Sequence, residues 1–199
     1  GNALNSAATI PAYGSLPDLA LGQYSGFTVQ AWFNSSSIGS NGQRIIDLGN
    51  EATNSDNIVI GLSGSQLFAS TYNGSTGYTY TAPHTLASNT WYHVTAAFSG
   101  STVTIYLNGA QIGSYSSMPQ VRNVARANNY WGMANGTIAI WQGQQDELRF
   151  WNRALTAAEI ASNYNISFTN SQSGLVAYYK ADETSGSSLT DSSGNGKTG

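Results

Sequence analysis

The sequence predicts an all-β protein: a two-sheet antiparallel sandwich of the jelly-roll kind, with one short helix near 156–164. Three observations predict it. Residues 90–109, TWYHVTAAFSGSTVTIYLNG, alternate with period two: Tyr92, Val94, Ala96 and Phe98 against Trp91, His93, Thr95 and Ala97, then Val103, Ile105 and Leu107 against Thr102, Thr104 and Tyr106. Such alternation of β-branched and aromatic residues marks half-buried strands. Similar short runs recur along the chain between Gly/Asn/Ser turn clusters, as in sandwiches. The length, 199 residues, suits one all-β domain.

Residues 2–10 are a weak strand candidate, and 11–21 read as loop around Pro11 and Pro17. Residues 27–33, FTVQAWF, are a strong strand, with Phe27, Val29, Ala31 and Phe33 on one face and Thr28, Gln30 and Trp32 on the other. A polar loop follows at 34–43. Short strands are predicted at 44–48, 57–62, 67–72 and 78–81, with a polar loop at 49–56. In the 90–109 stretch, Ser99-Gly100-Ser101 and Asn108-Gly109 supply the turns, so 110–115 returns as a third strand of a meander. A meander needs a second layer against its apolar face.

From 120 to 145 the pattern weakens: Trp131, Ile138, Ile140 and Trp141 lie among Asn and Gly. Residues 146–152, DELRFWN, alternate again, Leu148 and Phe150 against Arg149 and Trp151. Thr156 followed by Glu159 is a capping box that starts the helix, with Ile160 and Tyr164 on one face. Residues 175–180, LVAYYK, form a last strand before a Ser/Gly-rich acidic tail.

Charged residues are 9% of the chain, against roughly 25% in an average domain. Ser, Thr, Asn, Gln and Gly must therefore cover the surface, which suits an extracellular or cell-surface protein. The net charge of -3 and seven scattered Lys and Arg residues argue against nucleic acid. The absence of cysteine excludes disulfides, thiolate metal sites and cysteine nucleophiles. No run of about 18 apolar residues is present, so no membrane insertion by helix is expected. The N-terminus lacks the basic-then-apolar order of a signal peptide, so an exported protein would carry this stretch as a mature piece.

Trp91-Tyr92-His93-Val94, Ile105-Tyr106-Leu107-Asn108-Gly109, Gln145-Asp146-Glu147-Leu148-Arg149 and Trp151-Asn152-Arg153-Ala154-Leu155-Thr156 with Glu159-Ile160 follow in that order. The chain thereby resembles the laminin-G-like, concanavalin A-like jelly-roll domains of bacterial surface proteins, related to pentraxins. Residues 27–32 are similar to that family's early core strand. The resemblance implies one domain over 1–199 and a non-catalytic adhesion module that binds a glycan or other cell-surface ligand. It would be a monomeric unit in a larger chain. A structural spacer and an accessory carbohydrate-binding domain of a polysaccharide-active enzyme are the alternatives. Residues 174–199 look like the segment that usually opens such a domain, permuted or out of phase here. The expectation is a strand folding back into the same sandwich, with Leu175 and Tyr179 facing the core.

This fold also hosts glucanases with a Glu-x-Asp-x-(x)-Glu strand. Around Asp146 the corresponding positions are Gln144, Leu148 and Arg149, so the acid pair of a retaining glycosidase is missing. His84 and His93 read as structural histidines. The resemblance suggests that the turn at 191–196 sits near Asp146. One structural Ca²⁺ on Asp146, Asp191 and Asn195, with Asp182 available to join, is then expected. Asp191 and Asn195 read equally as turn formers.

Aromatic faces mixed with amide and guanidinium groups mark recognition surfaces. The binding candidates are Tyr72, Tyr78 and Tyr80, and Arg122, Arg126, Tyr130, Trp131 and Trp141. The competing reading makes Tyr78 and Tyr80 ordinary strand residues and places Trp131 and Trp141 in the sandwich ends. Trp32, Trp91 and Trp151 fall on the non-core face and read as structural, covered by loops.

Overall fold

The structure is a computed structural model; it describes residues 4–6, 13–39, 42–50, 55–136, 140–183 and 187–199. Two antiparallel sheets face each other. The first sheet contains β1 (Leu4–Ser6), β3 (Gly26–Ser35), β8 (Trp91–Ser99), β9 (Thr102–Leu107), β10 (Ala110–Tyr115), β12 (Gly143–Trp151) and β13 (Leu175–Tyr179). Its order is β1-β12-β3-β8-β9-β10, with β13 also on β12. The second contains β2 (Gly14–Leu16), β4 (Gln43–Gly49), β5 (Ile58–Ser63), β6 (Gln66–Asn73), β7 (Thr76–Thr81) and β11 (Asn128–Trp131), in the order β2-β11-β4-β5-β6-β7. The helix α1 is Ala157–Asn163. No helix among the described residues is long and apolar enough to cross a membrane.

Alternation explains the core. Phe27, Val29, Ala31 and Phe33 of β3 are buried between the sheets with Val94, Ala96 and Phe98 of β8, and Ile58, Ile60 and Leu62 of β5 face them. Phe27 stacks on Phe98 with ring centroids 4.4 Å apart. Each such side chain contributes about 1.5–3 kcal/mol when fully buried. The predicted meander is present as β8-β9-β10. Asn108 (φ 49°) and Gly109 (φ 82°) both take the left-handed conformation that a two-residue hairpin needs.

A smaller cluster lies on the outer face of the first sheet: Ala97, Tyr106, Trp151, Leu155, Ile160, Leu175 and Tyr178. The helix closes over it. Thr156 Oγ1 accepts from the Glu159 amide, and Glu159 Oε2 accepts from the Thr156 amide, which is the capping box read from sequence.

Sequence reading took β2 and β11 for loop, because both are too short to show alternation. Ile138 lies outside the described residues, as does most of the 2–10 candidate. β1 and β13 share one edge of β12, opposite Gly143 to Gln145 and Leu148 to Trp151 respectively. Tyr179 enters the main core as expected. Leu175 does not: the β12–β13 register slips between Phe150 and Trp151, which turns Leu175 into the cluster beneath α1.

Candidate functional site

The outer face of the first sheet has a covered half under α1 and an open half. On the open half lies a cleft of about 320 Å³, lined by Trp32, Trp91, Asp146, Glu147, Arg149, Asn165, Ile166 and Ser167. Strand register assembles it. Asp146 on β12 lies opposite Trp32 on β3, and Trp32 lies opposite His93 on β8. Trp91, at the start of β8, is 39% exposed and offers an indole to solvent.

A β-bulge shapes the acidic wall. Between Asp146 and Arg149 the β12–β3 register slips, and Glu147 takes φ 55°. Bulges re-aim side chains beside sites. Glu147 here reaches back across the outer face. Its Oε2 accepts from Arg149 Nη2 (2.5 Å) and from the Tyr178 hydroxyl, and its Oε1 accepts from Ser167 Oγ (2.9 Å). Burial and that bond push the Tyr178 hydroxyl up to about 12.

Arg149 is buried in the same lock, its two terminal nitrogens engaged and its Nε without a hydrogen-bond partner among the described residues. Its Nη1 donates to the Asn163 carbonyl (3.1 Å) and its Nη2 to the Ile166 carbonyl. Its guanidinium lies 4.5 Å from the Phe168 ring centroid and 5.0 Å from that of Tyr178. Glu147 and Arg149 therefore pin the segment 163–168 to the sheet and build one wall of the cleft.

Asp146 differs from Glu147. Its Oδ1 accepts from the Glu147 amide (2.9 Å). Burial, with the charges of Glu147 and Asp182 adding, pushes its carboxyl up to about 6. Behind it, His93 is fully buried against Trp32 (5.3 Å) and Tyr164 (5.7 Å). Among the described residues neither His93 ring nitrogen has a hydrogen-bond partner. Burial, with the Arg149 charge adding, pushes His93 down to about 3, so it is neutral.

The predicted binding residues do not converge. Trp131 (0% exposed) and Trp141 (1% exposed) correct the expectation: both are core residues with no face for a ligand. Trp141 packs on Phe33 and donates its indole N–H to the Asn34 carbonyl (3.1 Å). Arg126 is likewise buried, with Nε donating to the Asp56 carbonyl (2.9 Å). Arg122 grips the Asp56 carboxylate through Nε (2.7 Å) and Nη2, which holds that carboxyl below its usual range. The two arginines tether 119–127 to the second sheet.

On the edge strand β7, Tyr80 packs against the main core while Tyr78 is exposed. Both stack on Tyr115 of β10, at 4.5 Å and 5.7 Å, and close that side of the sandwich. Tyr72 lies on the opposite face of the second sheet, in a shallow depression with Arg44 and Phe68. Tyr130 packs edge-on against Tyr13, away from both.

Two of the expected calcium ligands, Asp191 and Asn195, have their side chains engaged by the backbone. Asp191 Oδ1 accepts from the Tyr178 amide (3.0 Å) and the Ser193 amide (2.9 Å), and its Oδ2 from the Lys197 amide (2.9 Å). Burial alone would raise the Asp191 carboxyl; these bonds outweigh it and hold it low. Asn195 Nδ2 donates to the Leu175 and Val176 carbonyls. Both side chains fasten the tail to β13. Among the described residues no three acidic, His or Cys side chains gather as metal ligands.

Sequence reading missed Trp32, Trp91 and Asn165 as cleft residues. The available signal was Trp32 and Trp91 on outward positions; alternation groups Asp146 with the inward Leu148 and Phe150, and the slipped register at Glu147 turns it to the outer face.

A family model described as the Concanavalin A-like lectin/glucanases superfamily matches residues 9–161. No curated protein matches the chain by sequence. Solved structures share the fold. A Bacteroides ovatus protein proposed to bind carbohydrate superposes with a TM-score of 0.68 at 21% identity, over 94% of this chain and 54% of its own. This chain thus spans about half of that protein. The Ruminococcus gnavus IT-sialidase CBM40, bound to α2,3-sialyllactose, gives 0.63 at 14% identity, over 83% of this chain and 97% of its own. Domain 4 of the extracellular GH43 arabinanase AbnA from Geobacillus stearothermophilus, with arabinotriose, gives 0.62 at 19%, over 83% and 86%. With the two-sheet jelly roll and the match over most of its length, the chain belongs to the concanavalin A-like lectin/glucanases superfamily.

Proposed function

We propose that this chain is a non-catalytic carbohydrate-binding module of an exported bacterial protein, and that it holds its glycan in the cleft of Trp32, Trp91 and Asp146. The observation that carries the reading is the half-exposed Trp91 indole in one concave site with a carboxylate and the exposed amide Asn165. Sugar C–H faces pack on indoles, and sugar hydroxyls pair with carboxylate and amide groups. Retaining hydrolysis would need two available carboxyls about 5 Å apart. In this cleft Glu147 is occupied by Arg149, Tyr178 and Ser167, which favours binding over cleavage. The low charge content supports export. Shallow contacts give weak affinity per site, strengthened where modules repeat.

A second reading, an accessory module of a larger polysaccharide-active enzyme, is favoured by the sialidase and arabinanase domains among the similar structures. A glycan array with wild type and Trp91→Ala tests binding. Hits lost in the variant support the cleft, and silence across the array supports a structural spacer instead.

A further inference from the structure

At the other end of β3 and β8 from the cleft, a cavity of about 370 Å³ opens between the two sheets. The stacked rings of Phe27 and Phe98 form its floor, and Met118 and Val121 add apolar wall. Two straps border it: 22–26, which leads into β3, and 118–121, which follows β10. Protein interiors leave few gaps larger than a water molecule, so the means by which this one stays open is informative.

Backbone bonds fasten both straps. The Gly100 amide donates to the Ser25 carbonyl (3.1 Å), and the Met118 amide donates to the Ser101 carbonyl (2.8 Å). Thr71 Oγ1 donates to the Pro119 carbonyl (2.7 Å), and Arg122, one residue past the strap, is held by Asp56. The straps meet where Gly22 passes Arg122. A Cβ on Gly22 would lie 1.9 Å from the Arg122 carbonyl oxygen, so glycine lets the two backbones touch and close one side of the mouth.

Among the described residues no charged side chain lines the cavity. A charged ligand would give up water there with no counter-charge in exchange. A neutral ring would gain burial against Phe27, Phe98 and the adaptable thioether of Met118. Polar groups are few: the Thr71 hydroxyl, and Ser25 and Gln120, both exposed. Apolar walls with a small number of polar groups, in a volume of about 300–1,000 Å³, are the usual form of a small-molecule site.

We propose that this cavity is a second binding site, separate from the glycan cleft, for a small uncharged cyclic molecule. Its apolar ring body would sit against Phe27, Phe98 and Met118, with one hydroxyl or carbonyl at Ser25 and Gln120. The inference does not rest on the glycan-binding reading of the outer cleft.

Methionine-methyl NMR on the whole chain tests it, because the chain has two methionines, Met118 in the cavity wall and Met133 outside it. The probe is 2-naphthol, with 2-naphthalenesulfonate as its charged counterpart. 2-Naphthol should shift the Met118 resonance saturably and leave that of Met133 in place. The sulfonate should bind about tenfold more weakly or worse. Val121→Trp should block the mouth and lower 2-naphthol affinity about tenfold. Gln120→Trp, at an exposed position, is the second blocking variant, and it decides the matter if Val121→Trp does not fold. Absence of a saturable Met118 shift overturns the site. Equal binding of the sulfonate overturns the preference for an uncharged ligand. Unchanged affinity in the folded blocking variants overturns the placement.

Discussion

Asp146 stands directly opposite Trp32 in the β12–β3 ladder, one residue before Glu147 breaks the register with a left-handed turn of the backbone. The pair couples a half-buried carboxylate to an aromatic face, and the bulge separates that carboxylate from the Glu147–Arg149 lock next to it. Asp146 thus lines the cleft, while Glu147 holds the fold.

Trp91→Ala should remove glycan-dependent fluorescence change with little loss of stability. The side chain is partly exposed, so the melting temperature should stay within about 2 °C of wild type. Thermal melts run alongside the quenching titration separate lost binding from lost folding.

Asp146→Asn should stabilise the protein at neutral pH. The folded carboxyl titrates near 6, above its ordinary 3.8. A raised folded value means the ionised group opposes folding above about 6, and the opposition disappears as pH falls to about 4. Partial exposure screens the effect to about 1 kcal/mol, where a dry site would give roughly 3 kcal/mol. The variant should melt a few degrees above wild type at pH 7.5 and level with it at pH 4.

His93 predicts acid sensitivity of the opposite sign. Its folded value is pushed from 6.5 down to about 3, so the unfolded chain binds the proton first. Stability should fall as pH drops from about 6.5 towards 3, by about 2–3 kcal/mol at pH 4.5. His93→Leu fills similar volume and carries no proton. Its denaturant midpoint should change much less over that range than that of wild type.

Glu147→Ala should destabilise the domain strongly. Arg149 would remain buried without its carboxylate, and breaking such a pair costs about 3–5 kcal/mol. The Ser167 and Tyr178 hydroxyls lose their acceptor too, so 163–168 should become readily exchanged and cleaved. Hydrogen exchange of that segment is the measurement.

Calcium should leave the melting curve where it is. Asp191 already accepts three backbone amides, and replacing it with Ala should lower stability with or without chelator, because β13 then loses its fastening to the tail. A calcium-dependent rise in melting temperature that Asp191→Ala abolishes would show the tail to be a metal site after all.

Much of the sandwich was legible in the sequence because alternation and turns are local. Phe27 to Phe33 declared their two faces, Asn108-Gly109 declared a hairpin, and Thr156 with Glu159 declared a helix start; the structure carries all three. β11 escaped because its strand is four residues long, and Trp131 within it looked like a loop aromatic among Asn and Gly. Polar neighbours in sequence do not make a residue exposed: Asn129 and Trp131 are both buried on one face of that strand.

By itself the sequence determined which residues the regular strands β3, β8 and β9 turn inward and which outward, since that follows from period two within a single stretch of chain; the slipped registers of β12 and β13 escape that rule. Only the tertiary structure decided that Trp32, Trp91, Asp146 and Asn165 share one cleft, and that Trp141, Arg126 and Asp191 are spent on the fold. The cleft depends on the pairing of β3, β8 and β12, on one slipped register at Glu147, and on a segment pinned by Arg149. Those contacts join positions far apart along the chain, where no local pattern records which side chains will meet.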